Sequence, residues 1–117
     1  MTQRGRISDM DAFDVHELIK GQAGGGHAYE DFFHSERLSL GLATWPVGVP
    51  DTQQPHPEDE VYYVIEGRGR IRVGEEDRDV APGTLLYVAA GVEHRFHDVE
   101  EDLQVLVFWS PPRGPRA

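Results

Sequence analysis

The sequence predicts an all-β domain, a sandwich or barrel, and three observations predict it. From His27 onward the apolar residues fall in short runs at about 8–12-residue spacing. Each run stops at glycine, proline or an acidic turn, the punctuation expected between strands. The chain has 117 residues, which is one domain with no room for a second core.

The elements follow in order. Residues 8–20 (SDMDAFDVHELIK) place Met10, Phe13, Leu18 and Ile19 at helical spacing, with Ser8 or Asp9 as N-cap and Gly21 as a stop. The triplet Gly24-Gly25-Gly26 then breaks the chain, separating a leading segment (residues 1–26) from the body (residues 27–112). In the body, Arg37–Trp45 runs into Pro46 and Gly48, and Val61–Ile65 ends at Glu66-Gly67. Gly67-Arg68-Gly69 reads as a hairpin turn before Arg70–Val73. Arg78–Val80, Thr84–Val88, His94–Val99 and Leu103–Trp109 complete the set, with an acidic turn between the last two. Residues 113–117 read as a disordered tail.

The runs at 61–65 and 103–109 are apolar on both faces, so something must cover the outside of the sheet. The leading helix, a second sheet or another copy of the chain could do so. A small barrel has little else to offer, which favours a symmetric homodimer.

Composition narrows the function. Twenty-one acidic against eleven basic residues leave a net charge of −10, which argues against nucleic acid and anionic membranes as partners. No apolar stretch approaches the roughly 20 residues of a membrane span, and the first ten residues contain no signal-like apolar core. A cytoplasmic protein is the expectation. With no cysteine there can be no disulfide, thiolate metal site or cysteine nucleophile, so any metal must be held by nitrogen and oxygen.

Gln54, His56 and Glu60 all sit at even positions. If residues 54–60 are extended, the three side chains share one face, despite the prolines flanking His56. They could equally be polar residues of an exposed edge loop. A second cluster, Gly83 through Ala89, Gly91 and His94 to Asp98, sets a histidine just after a tight glycine turn. Together the two clusters resemble the two motifs of the cupin superfamily. The first motif is matched in spacing from Gly48 through His56 and Glu60 to Gly67, the second by Gly83, Gly91 and His94. The departures are Gln54 in place of the first histidine, Ala89 in place of proline and Asp98 in place of asparagine.

The resemblance covers roughly residues 35–110 and implies a cupin-type jelly-roll β-barrel, preceded here by the short N-terminal helical segment. It also implies a divalent metal ion (Fe, Mn, Zn or Ni) inside, held by Gln54, His56, Glu60 and His94. Two histidines and a carboxylate are also the ligands of non-haem iron oxygenases. Tyr62, Phe96, Asp98 and Gln104 are candidates to line the cavity, whereas His97 should point outward and His16, His27 and His34 lie outside both motifs. The expected activity is oxygenase- or isomerase-type chemistry on a small chelating, oxygen-rich substrate. The alternative is a non-catalytic module that binds a small molecule or sugar.

Overall fold

Two long strands carry the architecture. The computed structural model describes residues 9–22 and 28–114 of the chain. These form α1 (Val15–Gly21), β1 (Ala28–His34), β2 (Ser39–Trp45), β3 (Asp59–Val73), β4 (Glu76–Val80), β5 (Leu85–Val88) and β6 (His94–Ser110). Every pairing is antiparallel, in the order β1-β2-β6-β3-β4, with β5 also on β3. One edge of β3 lies along β6 for most of its length; the other is shared, residues 60–63 taking β5 and residues 69–73 taking β4. This all-β arrangement is a jelly-roll barrel.

The sequence suggests stops at Glu66–Gly69 and near residues 100–102, but both strands run straight through them. Register shifts at Val64/Glu66, Glu66/Arg68 and Arg68/Arg70 absorb the irregular residues as bulges that bend the strand without ending it. Gly67 has φ 97°, and a Cβ there would sit 2.2 Å from the Asp102 carbonyl oxygen. A glycine is therefore required where the two strands press together, and the expected hairpin turn is not one. Strand β1 has no clear apolar signature: Glu30 and Asp31 interrupt its alternation, and its pairing slips between Asp31 and Phe33.

The interior is built from one face of the long strands. Tyr62, Val64, Ile71, Val88, Phe96, Leu103, Val105, Val107 and Trp109 are buried there, with Ala43 and Trp45 of β2. On β6 the alternation puts Leu103, Val105, Val107 and Trp109 inside, and hence Gln104, Leu106 and Phe108 outside.

The leading segment covers part of that outer face. Helix α1 is shorter than the expected 8–20: Asp14 caps it by accepting from the Glu17 N–H at 3.2 Å, and residues 9–14 are not helical. Phe13 instead packs edge-on against Phe32 and Phe33, with ring centroids 5.0 and 5.9 Å away. The Gln22 amide donates to the Leu42 carbonyl at 2.8 Å, and Leu42 is fully buried although it is not part of the interior cluster. Ser8 and the glycine triplet lie outside the described residues.

The expected disordered tail is corrected at its first two residues. The Arg113 N–H donates to Ser39 Oγ at 2.8 Å, and its guanidinium sits 4.8 Å over the Tyr29 ring and 3.1 Å from Asp31. The Gly114 N–H donates to Glu58 Oε2 at 2.8 Å. A cation over an aromatic face with a carboxylate beside it is a reason to stay docked. Residues 115–117 lie outside the described part. Among the described residues, no helix is long and apolar enough to cross a membrane.

Candidate metal centre

One backbone hydrogen bond and two accepted by aspartate side chains bring the two motifs together. Gly91, at φ 79° in the turn ahead of β6, donates its N–H to the His56 carbonyl at 2.7 Å. The next contact is Ala90 N–H to Asp59 Oδ1 at 2.9 Å, and further along β6 the Phe96 N–H donates to Asp51 Oδ2 at 2.9 Å. The loop carrying His56 is thus tied to the start of the strand carrying His94. Glu60, one residue into β3, is flanked by Trp109 on β6 and Val88 on β5, which turns its carboxylate into the barrel.

His56, Glu60 and His94 converge there, each offering one donor atom, and these atoms lie within 4.8 Å of one another. His94 Nε2 is 3.1 Å and His56 Nε2 3.9 Å from Glu60 Oε1. The Glu60 and His94 side chains are each only 1% exposed. The Nδ1 of His94 lies 2.8 Å from the Val92 carbonyl, so it carries the proton and leaves the Nε2 lone pair facing Glu60. Burial works to lower the His94 pKa, but Glu60 and the Val92 carbonyl outweigh it and leave it raised.

The hydrogen bonding of this cluster is incomplete. Glu60 Oε2 and His94 Nε2 are buried without a hydrogen-bond partner; the latter is close to Glu60 but lacks the alignment a hydrogen bond needs. A buried carboxylate oxygen and a buried imidazole lone pair left in this state cost several kcal/mol, on the order of 1–3 each. A divalent cation removes that cost, since its bonds of about 2.0–2.2 Å place neighbouring donors about 3 Å apart. Two neutral imidazoles and a carboxylate fit Fe, Mn, Zn or Ni.

The fourth residue differs from the expectation. Gln54 is exposed, and its amide reaches only the Thr52 carbonyl at 3.5 Å. Its neighbour Gln53 turns inward instead, placing Oε1 3.0 Å from His56 Nε2 and 3.5 Å from the Tyr62 hydroxyl. The reason is local: residues 51–58 are not a strand, β3 starts only at Asp59, and odd–even alternation does not carry across Pro55 and Pro57. Asp51 fixes Gln53 by accepting from its N–H at 3.1 Å and its amide at 2.7 Å. An Asp-x-Gln step, with a short side chain folding back onto the backbone two residues on, is the signal that would have identified Gln53.

Of the expected cavity residues, Tyr62 and Phe96 are inside. The Tyr62 ring lies 6.0 Å from His94 and 5.2 Å from Phe96, and Phe96 packs 4.6 Å from Trp45. Burial, with the Glu60 charge beside it, holds the Tyr62 phenol well above its usual range, so it keeps its proton and is a hydrogen-bond donor. Asp98 and Gln104 are corrected. Asp98 adopts φ 47°, is exposed and pairs with His97, because the strand bends at this point. Gln104 is on the outer face, where Thr44 Oγ1 sits 2.9 Å from it and 2.7 Å from Gln22. Trp109, read only as part of an apolar run, walls the site with its ring 4.9 Å from His56.

Comparison with known proteins agrees with this geometry. Residues 41–110 match the sequence model of the cupin domain. An uncharacterised protein of Streptomyces coelicolor is 47% identical over 105 residues, covering 90% of this chain and all of the relative. Acireductone dioxygenase 1 of Coprinopsis cinerea is 37% identical over 51 residues, which is 38% of this chain and 29% of that enzyme. A solved structure from Thermus thermophilus superposes with TM-score 0.72 at 30% identity, covering 88% of this chain and 99% of that one.

Proposed function

The chain belongs to the cupin family, and from that premise we propose that it is a divalent-metal enzyme acting on a small, oxygen-rich molecule. The observation that carries the reading is the underbonded His56–Glu60–His94 cluster in the barrel interior. A cation held by these three, with Gln53 Oε1 as a further donor, supplies Lewis-acid polarisation of a substrate oxygen. Glu60 is the anionic ligand. The Tyr62 hydroxyl donates towards Gln53 Oε1, and Trp45 and Phe96 would exclude water from one wall.

The partial likeness to a dioxygenase favours oxygenation when the metal is iron. With Mn, Zn or Ni, isomerisation or elimination beside a carbonyl is the chemistry the same site supports. The test is turnover of metal-loaded protein with catechol, keto-acid and sugar substrates, with and without dioxygen. Metal-dependent turnover is the expected result. Saturable binding without turnover across the panel would make the protein a binding module instead.

We further infer that the protein works as a homodimer. Leu85 and Tyr87 are 66% and 63% exposed, and Tyr63 and Phe108 are also open to solvent. Register places them side by side: Val61 lies opposite Tyr87 and Phe108, and Tyr63 opposite Leu85. The leading segment is already engaged over β1 and β2. Residues 1–8, 23–27 and 115–117 contribute only Met1, Ile7, Ala23, Pro115 and Ala117 as apolar side chains. A second copy, meeting the same face by two-fold symmetry, is the cover this favours.

A further inference from the structure

The amide of Gln53 has two chemically opposite ends. Its oxygen offers lone pairs, whereas its NH₂ group only donates. The two ends are nearly equal in size, so packing alone does not choose between them. At this residue the choice matters. Gln53 Oε1 lies 3.0 Å from His56 Nε2. That is the spacing of neighbouring ligand atoms on one cation with bonds of about 2.0–2.2 Å. An NH₂ group in the same place would turn N–H hydrogens, and no lone pair, towards the cation.

Asp51 makes the choice. Its Oδ2 accepts from Gln53 Nε2 at 2.7 Å and from the Phe96 N–H at 2.9 Å, and its Oδ1 accepts from the Gln53 N–H at 3.1 Å. An ionised carboxylate has no proton to give, so only the NH₂ end of Gln53 can face it. Oε1 is left to face His56, and the Tyr62 hydroxyl donates to the same oxygen from 3.5 Å. The bond from Phe96 sets position as well as polarity. Strand β2 pairs with β6 only from Leu103 to Trp109, so at Phe96 this edge of β6 has no strand beside it, and Asp51 takes the open N–H. Phe96 is two residues past His94. One carboxylate therefore holds Gln53 in place relative to the strand that carries His94.

The structure assigns Asp51 a directing role: it turns the Gln53 amide so that an oxygen, and not an NH₂ group, faces His56 and the candidate metal centre. Asp51 is a positioning residue and acts on the centre through Gln53. This deepens the metal-centre reading and rests on it.

A double-mutant cycle tests the assignment. Asp51→Asn keeps the size of the side chain but introduces an NH₂ group, which lets the Gln53 amide turn over. Gln53→Glu replaces the amide by a group whose two ends are both oxygen, so orientation no longer matters. Calorimetry should show Asp51→Asn weakening Mn²⁺ binding about tenfold in the wild-type background and less than about twofold in the Gln53→Glu background. Metal-free melts give a second readout. Gln53→Glu sets one carboxylate against another and should lower the midpoint by about 4 °C, and in the Asp51→Asn background it should lower it by less than about 1 °C. An equal loss of Mn²⁺ affinity in both backgrounds would make Asp51 a loop anchor or a distant charge and overturn the inference, as would no loss in either. Equal destabilisation by Gln53→Glu in both backgrounds would overturn it as well, while leaving the metal site intact. A wild-type chain that binds no Mn²⁺ counts instead against the metal-centre reading, and the metal-free melts still decide which end of the amide Asp51 holds.

Discussion

Two clusters of histidine and carboxylate lie on β6, three residues apart, and they differ in almost everything but composition. At the surface, His97 Nε2 is 3.0 Å from Asp77 and its Nδ1 3.0 Å from Asp98, while Arg70 bridges Asp77 and Asp79. Each of these side chains has a partner of complementary chemistry within 3.1 Å. Desolvation opposes it, but His97 and Arg70 still hold Asp77 below its usual pKa. In the interior, His94, His56 and Glu60 have no arginine or lysine among them, and two of their atoms are buried without a hydrogen bond. The first cluster is complete as it stands. The second is an arrangement that a cation would complete, and burial is what separates the two cases.

The widest separation between the clusters should come from Glu60→Gln. With metal at a hundredfold excess over its Kd, wild-type protein should gain about 2.7 kcal/mol of stability, and the variant should gain none. Without metal, the same substitution should leave stability unchanged or raise it, because it removes a buried, uncompensated carboxylate. Thermal melts with and without Mn²⁺ read both effects; a metal response retained in Glu60→Gln would contradict the assignment. Next in size, Leu85→Glu should convert a dimer to a monomer in sedimentation equilibrium while metal binding persists. A wild-type monomer would remove the dimer proposal.

Gln53→Ala should weaken metal binding about tenfold, and Gln54→Ala should leave it unchanged. Calorimetry that found the opposite order would restore the residue the motif spacing selects. The smallest effect is expected from His97→Ala, which should leave metal affinity unaltered although it removes a histidine with two carboxylates close by. Loss of metal in that variant would erase the distinction between the clusters.

The contrast also explains what the sequence disclosed. His56, Glu60 and His94 were legible because two motifs of fixed spacing locate them without any need to know the path between. The same spacing, and strand alternation with it, also selected Gln54, but Pro55 and Pro57 make this segment irregular, and Gln53 turns inward in its place. The same dependence on regular backbone misplaced Asp98, at a bend with positive φ, and split β3 and β6 at bulges that continue the ladder. Gln104 was read as the polar residue of a buried strand, but its parity with Leu106 and Phe108 puts it outside. Tyr62 and Phe96 lie on regular stretches of strand and face the interior. The docking of Arg113 between Tyr29 and Asp31 has no signature in a tail rich in proline and arginine, since its partners are some 80 residues away.

The most direct measurement is metal content per chain, by elemental analysis of protein purified without chelator and then supplied with Mn²⁺ or Fe²⁺. The account predicts one equivalent in the wild type and none in His94→Ala, with the circular dichroism of the β-barrel unchanged. A wild-type chain that takes up no metal, or a His94→Ala chain that keeps its full equivalent, would contradict it.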